Sequence, residues 1–411
     1  MKKLLNLLTI FIFIFLVSAC SCKDNSDEEV NKSTVLIPMQ DAYLSKDING
    51  EKTSVYPFNT TISLVYFYQS EGERAQEYFK SEYSRLHQLF DRHYYYFDSE
   101  GNLINNLRVV NESNGEAIVV DQDLIDIFKE GIRFTKLSKG KFNIGVGELT
   151  TLWDEYISIG DPTLSPSSEE INSALICTPN YENIEDIIVV NDDNNTITIN
   201  NIDGCNGKVS ITLGALAKSY AAEKISNDDR LKSGNFLINA GQSTIKIIGD
   251  NLSRESGDWG VGITDSYLVY SQNNNYASYL MTLKDPTSVS TSSGDTNHYW
   301  YGNHYYHHII DPISGYPNEN RFAITAVGSN AMYMDIITTS LMSMNMEESK
   351  EFVRTLINNN IDLELFIQDK KDTSVIVYAT SNMKNWVSIR NLASLQEYLD
   401  SIVIEDFNYD S

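Results

Sequence analysis

Cysteine, proline and positive charge are scarce in this sequence, and each shortage removes a class of explanation. Four of the 411 residues are Cys. Cys20 and Cys22 lie near the N-terminus, which leaves Cys177 and Cys205 for the rest of the chain. Two such residues make no disulfide framework and no zinc-ligand spacing. They can pair in an oxidising compartment or stay free and buried, and their spacing does not choose between these. Eight Pro and 22 Gly form no linker dense enough to divide the chain, and no internal repeat is present. Lys and Arg total 31 against 56 Asp and Glu, a formal net charge of −25. That balance argues against nucleic acid or an anionic surface as partner. The charges are scattered, as on an ordinary solvated surface.

Long apolar runs are confined to one place. After Lys2 and Lys3, an apolar stretch runs from Leu4 to Val17, then Ser18, Ala19 and Cys20. The stretch has the proportions of a secretory leader and is short for a membrane span. Val17-Ser18-Ala19-Cys20 resembles a lipobox, which predicts cleavage after residue 19 and lipidation of Cys20. A leader cleaved elsewhere, or a weak anchor, is the alternative. Cys22, behind Ser21, is the poorer acceptor. Residues 20–35 contain a polar, charged run and read as a flexible tether. Residues 36–411, with 42% hydrophobic residues over the whole chain, can build a large core.

Periodicity predicts a strand over 56–69, a helix over 71–90 and an amphipathic helix over 121–138, with Leu124, Phe128 and Ile132 on one face. Two strands around an Asp/Asn turn are expected over 186–200. A helix follows over about 214–225, a strand pair over 237–248 and a strand over 276–283. A strand closes over 307–311, another runs over 321–327, helices follow over 330–344 and 347–358, and short strands lie within 363–378. Strands and helices mix without strict alternation. This pattern predicts one α+β domain with insertions.

Four segments carry chemistry. Lys141-Phe142-Asn143-Ile144-Gly145-Val146-Gly147, followed by Trp153, offers close backbone approach and an apolar wall, or simply a turn before a core helix. Leu213-Gly214-Ala215-Leu216-Ala217-Lys218-Ser219 places small residues and a cation at a helix start, suited to phosphate or to tight packing. It lacks the spacing of a Walker loop. Ser290-Thr291-Ser292-Ser293-Gly294-Asp295 precedes His307-His308-Ile309-Ile310-Asp311-Pro312, a hydroxyl-rich loop beside a histidine and a tight turn. Adjacent His307 and His308 on a strand would face opposite sides, so at most one serves a given site. Asp335 and Thr339 stand at i, i+4 in an apolar helix, where a carboxylate and a hydroxyl can share a hard cation, or where Asp335 simply faces outward.

In this order and at these intervals the segments resemble the ApbE family of flavin transferases. Phe58-Asn59-Thr60 and Asn239-Ala240-Gly241 supply two further matches, and the resemblance runs from about Val55 to Tyr378. Departures fall at Asn59, Thr212, Ala215, Ser219 and Gln242. The resemblance implies a single mixed ApbE, T-fold-like domain that binds FAD as substrate. With Mg²⁺ it would move the FMN half onto a threonine hydroxyl of an extracytoplasmic FMN-carrying acceptor protein. It further implies a metal on the Ala215 carbonyl and the side chains of Asp335 and Thr339, with Thr338 adjacent. Phe58, Lys141, Phe142, Asn143, Thr212, Lys218 and Ile310 would line the FAD site. His308 would orient a phosphate or carry a proton, and Asp335 would be essential to catalysis. An FAD pyrophosphatase, a non-enzymatic flavin-binding lipoprotein and a solute-binding lipoprotein are the competing readings.

Overall fold

The computed structural model describes residues 30–284, 287–371 and 374–409. The leader and Cys20 lie outside the described residues. The frame is one nine-stranded sheet. Its strands are numbered here along the chain: β1 Ser33–Leu36, β2 Ile62–Tyr66, β3 Phe236–Ala240, β4 Thr244–Ile248, β5 Thr287–Ser293, β6 Arg321–Gly328, β7 Glu364–Lys371, β8 Ser374–Ala379 and β9 Ile404–Asp406. They neighbour one another in the sheet in this same order. All pairings are antiparallel except the last, β8 with β9.

Side chains alternate between the two faces of the sheet, and each face has its own cover. Ile62, Leu64, Phe236, Ile238, Ile324 and Leu365 belong to one large core with the helices. Those helices include α1 Gln69–Phe90, α2 Gln122–Leu137, α3 Ala217–Ser226, α4 Ala331–Met342 and α5 Met346–Asn358. Ile247, Val289, Val327, Phe366 and Val377 face a second core. Three further strands, Trp259–Thr264, Ala277–Leu283 and Val387–Ile389, form the small sheet that covers it. Strand β6 is buried along nearly its whole length, as a central strand between two layers must be.

Most expected elements form, with five corrections, the first being that Ser290–Ser293, read as part of a hydroxyl-rich loop, belong to strand β5. Strand β1 pairs with β2 from Ser33 onward, so the ordered sheet reaches into the segment read as a tether to residue 35. The strand expected from residue 56 begins only at Ile62, because a 3₁₀ turn over Pro57–Asn59 intervenes. Helix α3 starts at Ala217, leaving Gly214 and Ala215 in the turn before it. The strand read over 307–311 is His304–His307, and the chain turns away at His308. Cys177 and Cys205, left open by the sequence, form a disulfide.

Candidate functional site

Helix α4 rises next to β5, and the period-2 alternation of that strand turns Ser288, Ser290 and Ser292 toward it; all three are buried. Asp335, on α4, is 4% exposed. Its Oδ1 accepts from Ser290 Oγ at 3.0 Å and its Oδ2 from Ser219 Oγ, on α3, at 2.9 Å. One turn on, Ser292 Oγ lies 2.9 Å from Thr338 Oγ1 and 3.3 Å from Thr339 Oγ1. Thr338 also donates to the Asp335 carbonyl at 3.0 Å, while Thr339 is half-buried. Burial pushes the Asp335 carboxyl above its ordinary range; the nearby charge of Lys218 and the two serine bonds oppose this only in part. Lys218 Nζ reaches the Gly214 carbonyl at 3.4 Å.

Charged groups clamp both ends of α4. At its start Glu223 Oε2 accepts from the Ala331 N–H at 2.8 Å and from the buried Lys246 at 3.0 Å. Lys246 also donates to the Ser329 carbonyl at 2.7 Å. At its end Arg321 donates to the Leu341 carbonyl at 2.7 Å and pairs with Asp369. An anion at the N-terminus and a cation at the C-terminus both suit the helix dipole.

Two turns carrying left-handed backbone sit near this cluster. Phe58 and Asn59 have φ of 51° and 55°, and Gly241 and Gln242 have 73° and 65°. A Cβ on Gly241 would stand 2.6 Å from Thr60 Cγ2, so the two turns are pressed together and glycine is required there. The carbonyl of the next residue, Ser243, lies 3.1 Å from Ser290 Oγ, which brings the turn against the Asp335 cluster.

The ApbE family pattern matches residues 58–363, about three quarters of the chain, which include the Asp335 cluster and both left-handed turns. This chain belongs to the ApbE family. Among similar proteins, an FAD:protein FMN transferase of Vibrio cholerae is 25% identical over 281 residues, which span 67% of this chain and 75% of that one. One from Treponema pallidum is 24% identical over 64% of this chain and 71% of its own length. For the Escherichia coli K12 enzyme of that name, identity is 23%, and the match spans 57% of this chain and 63% of that one. Among solved structures, the flavin transferase ApbE from Vibrio cholerae superposes with a TM-score of 0.62 at 20% identity, covering 87% of this chain and 99% of that one. The ApbE protein from Thermotoga maritima gives 0.61 at 23% identity, covering 82% and 98%. These structures establish the fold.

Against the ApbE pattern, the sequence-predicted residues fall into two groups. Asp335, Thr338, Thr339 and Lys218 come together, with Ala215 in the turn ahead of Lys218. Lys218 also acts on His308, whose pKa is lowered first by burial; the Asn297 carbonyl opposes and the Lys218 charge adds to the shift. His308 Nδ1 is buried with no hydrogen-bond partner among the described residues. Its neighbour His307 is fully engaged inside, accepting from Ile309 N–H at 3.3 Å with Nε2 3.3 Å from the Asn318 carbonyl.

The second group builds the wall. Lys141 pairs with Asp311 at 3.2 Å and donates to the Ser343 carbonyl at 3.1 Å. Asn143 donates to the Pro179 carbonyl at 2.5 Å and accepts from Gly145 N–H at 2.8 Å. Phe142 and Ile310 are buried in hydrophobic clusters, Ile310 with Trp153 and Tyr306. Thr212 donates its N–H to the Ile144 carbonyl at 2.8 Å, and its hydroxyl lies 3.4 Å from Gly214 N. Sequence reasoning missed Glu223 and Lys246 as the fixings of α4, and the serines as partners of Asp335. The second had a signal: Ser288, Ser290 and Ser292 recur at every second residue, the period of a strand, in a segment read as a hydroxyl-rich loop.

Proposed function

We propose that this protein is an FAD:protein FMN transferase, as its relatives are named, and that it works with Mg²⁺. The observation that carries the reading is the buried Asp335 carboxylate, held between Ser219 and Ser290 beside Thr339 and Lys218. An Asp this deep needs compensation beyond two hydroxyl bonds. Among the described residues no three His, Cys, Asp or Glu side chains converge as metal ligands, so hydroxyl and carbonyl oxygens must complete any cation shell at Asp335. A hard oxygen set fits Mg²⁺. Asp335, Thr339 and the Ala215 carbonyl would hold the ion, with Thr338 fixing the helix turn between them. When bound, Mg²⁺ neutralises charge on the diphosphate.

In the proposed reaction a threonine oxygen of the acceptor protein attacks the flavin-side phosphorus of FAD. The new P–O bond forms as the bond to the bridging oxygen breaks, and AMP leaves. The work of this chain is positioning and charge. Lys218 and the N-terminal end of α3 take the diphosphate. Phe58 and the wall around Ile310 take the flavin end. His308, kept neutral by burial and with its Nδ1 buried without a partner among the described residues, would orient a phosphate or carry the proton of the attacking hydroxyl. The acidic surface suits protein substrates better than nucleic acid.

The lipobox-like string at Cys20 supports a lipid-anchored place on the extracytoplasmic face of the membrane, and the Cys177–Cys205 disulfide agrees with an oxidising compartment. Incubation with FAD, Mg²⁺ and candidate acceptor proteins, read by in-gel flavin fluorescence, tests the activity. Covalent fluorescence on a threonine supports transfer. Free FMN and AMP alone would make the protein an FAD pyrophosphatase.

A further inference from the structure

His87, on α1, is 5% exposed and has no part in the reaction outlined above. Its Nδ1 accepts a hydrogen bond from the backbone N–H of Phe58 at 3.1 Å. That nitrogen therefore carries no proton, and the single ring hydrogen sits on Nε2, 3.0 Å from the Tyr96 hydroxyl. Tyr96 in turn donates to Asp91 Oδ2 at 2.6 Å, which leaves its oxygen free to accept from Nε2. Asp91, Tyr96 and Phe58 thus fix one tautomer of one buried ring.

The group held by this ring is in a costly conformation. Phe58 and Asn59 occupy successive left-handed positions, a backbone that persists in residues other than glycine only where the surroundings impose it. The Phe58 ring is half-buried and rests on His87, at 5.2 Å between centroids, and on Tyr83, at 6.2 Å. The same turn presses on Gly241, and two residues further on Ser243 contacts Ser290. A continuous set of contacts therefore runs from His87 to the Asp335 cluster.

We propose that His87 is a positioning residue of the flavin pocket: its neutral imidazole, locked in one tautomer by Tyr96 and Asp91, holds Phe58 in the left-handed backbone that presents its ring to the flavin, and protonation of His87 releases it. The proposal rests on the reading of Phe58 as a wall of the FAD site. Protonation would put a hydrogen on Nδ1 facing the Phe58 N–H, replacing attraction with repulsion. The titratable groups facing His87 are Asp91, just past the end of its own helix, and Tyr96; Tyr83, one turn back, faces the Phe58 ring. Burial holds the His87 pKa down against the pull of Asp91, so the ring is neutral near neutral pH and charges on acidification.

The test uses the full chain in detergent, with Phe58 isotopically labelled and its carbon shifts read without ligand, and FAD affinity measured by flavin fluorescence. His87→Leu should shift the Phe58 signals away from left-handed values and weaken FAD binding about tenfold, the equivalent of one lost hydrogen bond. His87→Asn, whose amide oxygen can stand where Nδ1 stood, should restore both. It should also reduce the loss of affinity expected of the natural protein as pH falls below about 6.5, the ordinary histidine value from which burial lowers His87. Unchanged Phe58 signals in His87→Leu overturn the positioning role. Moved signals with unaltered FAD affinity overturn the assignment of Phe58 to the flavin pocket, and the proposal with it. Should His87→Leu not fold, an unaltered pH profile in His87→Asn overturns the proposal by itself.

Discussion

Glu223 and Ala331 are joined by a 2.8 Å hydrogen bond from the helix-start N–H to the carboxylate, one turn from where Ser219 donates to Asp335. The two contacts repeat at four-residue spacing on both helices, so α3 and α4 meet in a fixed register. Asp335 is held in place by that register.

Replacing Asp335 by Ala should therefore separate activity from stability. The change removes a buried carboxylate whose only close bonds are to hydroxyls, so the melting temperature should hold or rise. FMN transfer at saturating FAD and Mg²⁺ should drop by more than about a hundredfold. Near-normal turnover in the folded variant would place the metal elsewhere.

Glu223→Ala should do the opposite. It strips the α4 N-terminus of its acceptor and leaves Lys246, itself 5% exposed, buried beside only a carbonyl. Breaking such a pair costs about 3–5 kcal/mol, readable as a lower urea midpoint. Glu223→Ala with an unaltered midpoint would show that the pair is not holding the helix.

Reduction of Cys177–Cys205, or their joint replacement by Ser, reopens a loop of sequence separation 28. Chain-entropy reasoning puts the loss at about 3–4 kcal/mol. Thermal melts with and without a reductant measure it directly. Because Asn143 donates to Pro179, two residues past Cys177, FAD affinity should weaken along with stability.

His307 gives the pH dependence its sign. Burial lowers its pKa to about 4, below the unfolded value of about 6.5, so the native state binds fewer protons in between. The stability it contributes is complete above about pH 6.5 and is lost as pH falls toward about 4. His87 and His308, also lowered by burial, act in the same direction. Asp335, raised by burial, acts oppositely, gaining stability as it protonates. Urea midpoints at neutral and mildly acid pH should fall further for the natural protein than for His307→Gln; parallel losses would remove His307 as the cause.

The sequence by itself determined the α+β class, most helices and strands, and the residues of the ApbE pattern, because hydrophobic period and small-residue punctuation are local signals. It located Asp335 and Thr339 on one helical face by the same local geometry. It also marked the departures at Gln242 and Ser219, without revealing that one adopts left-handed backbone and the other donates to Asp335. What only the tertiary structure decided is which groups meet. Cys177 found Cys205, His87 found Phe58, and Lys246 found Glu223 across separations that no periodicity encodes. The reason is physical: a buried polar atom must be satisfied by whichever partner the packed layers bring within reach, and that is settled only when the sheet and helices close on one another.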